Sequence, residues 1–143
     1  ASSRKCRSLL ERCQRGEVIG LTSAVALAET LHRLMTIEAV TRGFVPPGNV
    51  AKKLRARPDI VRKLTLSESQ VERIPNMGVD IRALTTQVLE RASSLRRDHG
   101  LMTNDSLLAA TAFEQATAVF ASADPDFSRL PGLEVYSPDD LET

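Results

Sequence analysis

Residues 16–34 read GEVIGLTSAVALAETLHRL, and the change of pattern inside this stretch decides the fold. Residues 18–21 are short and apolar, as a buried strand is. Thr22 and Ser23 close the run, and both residue types cap helices through a side-chain oxygen. From Ala24 to about Val40 the chain is rich in helix formers and apolar over much of its circumference, which predicts a largely buried helix. A strand that feeds directly into a helix is the building unit of α/β folds.

Upstream, Cys6, Leu9, Leu10 and Cys13 recur at i, i+3, i+4 and i+7, the stripe of an amphipathic helix over residues 3–15 that Gly16 stops. Two helical turns hold the cysteine backbones about 10 Å apart, too far for a disulfide, so both are expected in the core. Downstream, Gly43, Pro46, Pro47 and Gly48 break the chain before a basic helical stretch at residues 49–57. Pro58 opens a further short helix, with Asp59 suited to the positive end of its dipole. Ser67 and Gln70 have capping-box spacing for a turn or two of helix up to Ile74, and residues 75–78 end it.

Residues 79–84 alternate apolar and polar as a strand does. Thr85 or Thr86 can cap a helix to about His99, with Val88, Ala92 and Leu95 on its inner face and Gly100 as its stop. A helix over residues 104–116 then leads to the apolar run AVFAS at 118–122, and a last strand is expected at 134–136. Helices alternating with short apolar strands predict an α/β fold with a mainly parallel sheet, whose sites gather beyond the strands' carboxyl ends.

At 143 residues the chain is one domain's worth, enough to bury roughly 70% of its unfolded surface in a single core. Charged residues make up 26% and no apolar run nears the ~20 residues of a membrane span, which predicts a soluble chain. The start is polar and basic without an apolar signal segment, so a cytoplasmic setting is expected. His32 and His99 lack ligand spacing, which argues against zinc. Aromatic residues are 3%, with no Trp, so an extensive base-stacking platform is not expected. The P-loop, G-x-G-x-x-G, G-x-S-x-G and C-x-x-C motifs are absent from the sequence.

Three carboxylates stand where apolar neighbours predominate. Glu29 lies within VALAETL, and burying a lone carboxylate costs several kcal/mol unless it is paired, protonated or bound to a cation. Asp105 opens the apolar helix SLLAATAF, where ordinary N-terminal capping is the competing explanation. Asp124 follows the strand AVFAS at its carboxyl end, where an Asp-Pro turn competes. Together they are expected to converge on one sheet edge. Carboxylates that converge without cationic neighbours repel and take up protons unless a cation neutralises them. All-oxygen ligation selects Mg²⁺ or Mn²⁺, ions that promote phosphodiester hydrolysis.

The blocks GEVIGLTSAVALAETLHRL (16–34), HGLMTNDSLLAATAF (99–113) and FASADPDFSRLPGLEVY (120–136) resemble, in order and spacing, the three blocks of VapC-like PIN-domain ribonucleases. The resemblance spans nearly the whole chain. It implies that Glu29, Asp105 and Asp124 are catalytic metal ligands, with Ser122 and Asp126 in support. It also implies a three-layer sandwich around a parallel sheet of order 3-2-1-4-5 and Mg²⁺- or Mn²⁺-dependent cleavage of RNA. The family's toxins are usually dimers held by an antitoxin protein, so a homodimer and a cognate antitoxin are implied partners. The family's first strand, which carries another metal-binding Asp, should precede Ser3 and is not in these residues. A domain incomplete at its N-terminus is therefore expected. The rival expectation is a non-catalytic PIN-like interaction or RNA-binding module. Lys52, Lys53, Arg55, Arg57, Arg62 and Lys63 form a basic stretch that suits either a phosphate-binding rim or a solvated helix face; Arg91, Arg96 and Arg97 carry the same two readings.

Overall fold

The computed structural model describes residues 2–116 and 119–141. Helix α1 (Ser2–Gln14) leads to strand β1 (Gly20–Ser23) and helix α2 (Ala24–Thr41). Three short helices follow, α3 (Val50–Arg55), α4 (Pro58–Val61) and α5 (Thr65–Glu72), then β2 (Val79–Arg82), α6 (Thr86–His99), α7 (Thr103–Phe113), β3 (Val119–Ala121) and β4 (Glu134–Tyr136). The expected strand residue Ala118 lies outside the described residues.

The capping chemistry works where it was expected. Ser23 Oγ accepts from the Val25 amide, and Thr85 Oγ1 accepts from the Val88 amide, so β1 runs straight into α2 and β2 reaches α6 over three residues. Pro58 stands at the head of α4, and Gly100 ends α6 in the left-handed region.

Other expectations need correction. β1 begins at Gly20 rather than Val18, leaving Ile19 almost fully exposed. The ladder starts where glycine lets the backbone close on α1, because a Cβ at position 20 would sit 2.7 Å from Cys13 Sγ. The capping box at Ser67 does not form. Ser67 lies inside α5 and donates to the Leu64 carbonyl, while the amides of Leu66 and Ser67 donate to the carboxylate of Glu38 on α2. A remote acid takes the place of the local box. Cys13 is buried but Cys6 is exposed. Helix α2 is not largely buried either, since only Glu38 and Ala39 are withdrawn from solvent.

The strands form two parallel ladders. β1 pairs with β2 in the register Gly20↔Val79 to Ser23↔Arg82, and β3 pairs with β4 from Val119↔Glu134 to Ala121↔Tyr136. These are the flanking pairs of the expected order, but among the described residues no ladder joins β1 to β3. A slot of about 760 Å³ lies between them instead. Gly20, Leu21, Thr22 and Ser23 all line it, as do Val119, Phe120, Ala121 and Ser122. Consecutive strand residues point to opposite faces, so a cavity that touches four in a row meets the strand's edge. The unpaired edges of β1 and β3 therefore open on one space, with Leu9 and Cys13 of α1 and Leu108 and Ala112 of α7 also in its lining.

The core gathers in two regions. Leu101, Ala109, Ala112, Phe127, Leu130 and Leu133 fix α7 to the segment around β4, and Val88, Ala92, Leu107 and Ala110 extend this packing through α6. Ala39, Val45, Leu54, Ile60 and Leu64 form the second region beneath α2 to α5. A fully buried leucine such as Leu64 contributes roughly 1.5–3 kcal/mol.

Candidate acidic site

The three acids reach one region by different routes. Glu29 sits on the second turn of α2, just after β1; Asp105 is the third residue of α7; Asp124 comes three residues after β3. All three lie beyond strand ends or at helix starts, as sites in parallel sheets do.

Asp105 is half-buried and its pKa is raised, first by desolvation, then by the negative charges of Asp124, Glu29 and Asp126. The three expected acids and the supporting Asp126 thus share one electrostatic neighbourhood. Capping does not explain Asp105, because it accepts no hydrogen bond among the described residues, and Met102 at the N-cap offers no side-chain acceptor.

Asp124 begins a 3₁₀ turn at Pro125–Arg129, where its Oδ1 accepts from the Asp126 amide. Its own amide donates to Ser122 Oγ, so the Ser122 hydroxyl fixes the backbone on which Asp124 stands. Asp126 leans to Arg129, with Nη1 3.6 Å away, which partly neutralises it and sets it apart from the other acids.

Glu29 requires a correction. It is exposed, not embedded, because its side of α2 faces an open cleft shared with Leu84, Asn104 and Leu107. The cost of burying a charge therefore does not apply to it. What holds Glu29 is a hydrogen bond from Asn104 Nδ2 to its Oε1. Asn104 is the partner of Glu29 that the sequence reading missed, and its place beside Asp105 in the first turn of α7 was the available signal.

The donor set consists of carboxylate oxygens with a hydroxyl close by, which fits a hard divalent cation. In spacing the cluster is an open arc. Among the described residues no three His, Cys, Asp or Glu side chains stand close enough to enclose an ion. If one were held, Glu29, Asp105 and Asp124 are the residues that would face it.

The basic residues divide. Lys53 bonds the carbonyls of Pro46 and Pro47, Arg57 pairs with Asp59, Arg91 stacks on Phe113, Arg96 bonds Ser106, and Arg97 bonds Ser93 and Ser94. These are scaffolding roles. Lys52, Arg55, Arg62 and Lys63 are exposed and unpaired among the described residues.

No helix among the described residues is long and apolar enough to cross a membrane. Comparison with known proteins gives no match to a curated protein and none to a solved structure. A family model does match, that of the PIN domain, over residues 2–133. Members of that family are generally Mg²⁺-dependent nucleases and typically use divalent ions such as Mg²⁺ or Mn²⁺. With a match that takes in α1, every strand but β4, Asp105 and the three acids around it, the chain belongs to the PIN domain family.

Proposed function

We propose that this PIN domain is a metal-dependent endoribonuclease, the toxin of a toxin and antitoxin pair. The observation that carries the nuclease reading is the meeting of Glu29, Asp105, Asp124 and Asp126 in one neighbourhood, where Asp105 is half-buried and its pKa is raised by desolvation and then by the other three acids. Such a cluster stores repulsion that a cation relieves. Bound there, a divalent ion supplies charge stabilisation to phosphodiester hydrolysis. The chain's own residues prepare for it. Asp105 offers a half-buried carboxylate, Asp124 is held by its turn and by Ser122, and Glu29 is oriented by Asn104.

The toxin role, the antitoxin partner and a homodimer rest on the resemblance of the three sequence blocks to VapC-like proteins. RNA as the substrate rests there too. One observation favours the second reading, an interaction module without catalysis, and that is the open arc of the acids.

A cleavage assay separates the two readings. Purified protein with Mg²⁺ or Mn²⁺ should cut a labelled RNA, EDTA should stop it, and Asp105→Asn should abolish it while circular dichroism shows an unchanged fold. Equal cutting by wild type and Asp105→Asn would overturn the site. Absence of any metal-stimulated cutting by the wild type would favour the module.

A further inference from the structure

The cleft beside Glu29 measures about 970 Å³ and runs along one face of α2. Its polar side chains are those of Glu29, Thr30, His32, Arg33, Thr36 and Asn104. The two threonines and Asn104 have committed donors. Thr30 Oγ1 donates to the Ala26 carbonyl and Thr36 Oγ1 to the Arg33 carbonyl, while Asn104 donates to Glu29. Arg33 and His32 keep all of theirs, since neither has a partner among the described residues.

The freedom of Arg33 is informative because a partner stands within reach. Glu29 precedes it by four residues, the favourable i, i+4 arrangement for a helix ion pair. Among the described residues Glu29 and Arg33 do not pair, and Glu29 is bonded to Asn104 instead. An exposed guanidinium one helical turn from Glu29, in the same cleft, is thus left with five uncommitted donors. Guanidinium groups match phosphate oxygens with two parallel hydrogen bonds and never lose their charge at working pH. The acids, by contrast, repel a phosphate unless a cation lies between.

We infer that Arg33 is a substrate-anchoring residue that grips a backbone phosphate of single-stranded RNA next to the one presented to Glu29, Asp105 and Asp124. The strand lies along α2, with the exposed side chain of Leu84 as an apolar wall of the same cleft. Affinity is sequence-independent at this contact, because phosphate carries no base identity. The inference rests on the nuclease reading for the direction of the strand but not for the contact itself.

The test measures binding apart from cleavage. A fluorescein-labelled decauridylate is titrated in EDTA against wild type, Arg33→Ala, Arg33→Lys and Arg73→Ala, the last removing an exposed cation outside the cleft. Arg33→Ala should weaken binding about 10-fold and lower the slope of log K against log salt by about 0.7, the share of one single-strand phosphate. Arg33→Lys should retain the slope and recover part of the affinity, and Arg73→Ala should match wild type. Equal loss in Arg73→Ala, an unchanged salt slope in Arg33→Ala, or no binding by the wild type would each overturn the anchor. Arg33-dependent binding without metal-stimulated cutting would retain the anchor and remove the nuclease. Cutting that proceeds unaltered in Arg33→Ala, with unaltered binding, would do the reverse.

Discussion

Asn104 on α7 donates its side-chain amide to Glu29 on α2 and so ties together two helix segments 75 residues apart in sequence. The bond joins the helix that carries Asp105 to the helix that carries Glu29. An exposed glutamate has several rotamers, and this contact selects one of them. Residues that orient ligands in this way typically contribute 10–100-fold to metal affinity or activity. Asn104→Ala should therefore reduce metal-stimulated cleavage by about 10-fold or more, with Asn104→Asp no better because it opposes a second carboxylate to Glu29. The expected signature is a rise in the Mn²⁺ concentration needed for half-maximal rate. An unchanged metal dependence in Asn104→Ala would make the bond incidental.

The raised pKa of Asp105 has a sign that stability measurements can read. Desolvation and the charges of Asp124, Glu29 and Asp126 make the folded state hold the Asp105 proton more tightly than the unfolded chain does. Folding then takes up a proton in the window between the two pKa values, and stability declines as pH rises through it. Above that window the charge opposes folding in full. Asp105→Asn should thus raise the Tm of metal-free protein at neutral pH, by no more than about 3 °C because the group is only half-buried. The difference should vanish as pH falls below the ordinary Asp range. Mg²⁺ should raise the Tm of wild type and not of the variant, by mass action on the folded state. A variant less stable than wild type at neutral pH would contradict the repulsion.

Much of this was legible in the sequence for local reasons. Ser23 and Thr85 announce helix starts because capping needs only residues two or three positions apart, and Pro58 and Gly100 act through their own backbone angles. That the acids at 29, 105 and 124 share one neighbourhood was legible through motif order, since nothing local distinguishes Asp124 from an Asp-Pro turn. What was not legible depends on distant partners. The capping box at Ser67 failed because Glu38, 29 residues away, already accepts from its amide. Glu29 reads as embedded because its neighbours in sequence are apolar, yet its face of α2 opens on a cleft and its partner is on α7. Neither the two separate ladders nor the slot between them has a signature in the periodicity of any one strand.

Glu38 supplies a test of that distant cap. Its carboxylate is buried and accepts from Arg42 Nη1 at 2.8 Å, from the Ser67 amide at 2.9 Å and from the Leu66 amide at 3.3 Å. Burial pulls its pKa upward, but the bonds from Ser67, Arg42 and Leu66 together outweigh burial and leave it lowered. A lowered carboxylate contributes stability that is complete above its unfolded pKa and is lost as pH falls through the folded value. Glu38→Ala should cost about 1–3 kcal/mol, since it leaves the buried Ser67 amide and the partly buried Leu66 amide short of an acceptor, while Arg42 keeps the Lys63 carbonyl. Glu38→Gln should recover only part, and acid should destabilise both variants less than wild type. Denaturant melts at pH 7 and pH 4 decide this, and a Glu38→Ala cost below about 0.5 kcal/mol would reduce the cap to a surface contact.

The slot between β1 and β3 yields the last prediction, because it tests the expectation of an acid-bearing central strand. Among the described residues both bordering edges are unpaired, both belong to parallel ladders, and Leu9 and Cys13 of α1 line the space before the chain enters β1. A helix that lies against a parallel sheet and feeds a strand is the second half of a right-handed crossover, whose first half is a strand entering the helix. The occupant proposed for the slot is therefore an extended apolar segment entering α1 from its N-terminal side, parallel to β1 and β3, with its carboxyl end close to the open arc of acids. In the 143-residue chain the edge amides that face the slot should exchange with solvent nearly as fast as unfolded backbone, because nothing in the ladders protects them. Lengthening the chain upstream of Ala1 with an extended apolar segment should slow exchange at Ala121, whose amide points away from β4, and at the β1 amides that point away from β2, by about 100-fold or more, as ladder bonds form on both sides. The same extension should tighten Mn²⁺ binding if its strand brings a further carboxylate to the arc. Protection at β1 and β3 that is already complete in the 143-residue chain, or that does not change on extension, would show that the slot takes no strand.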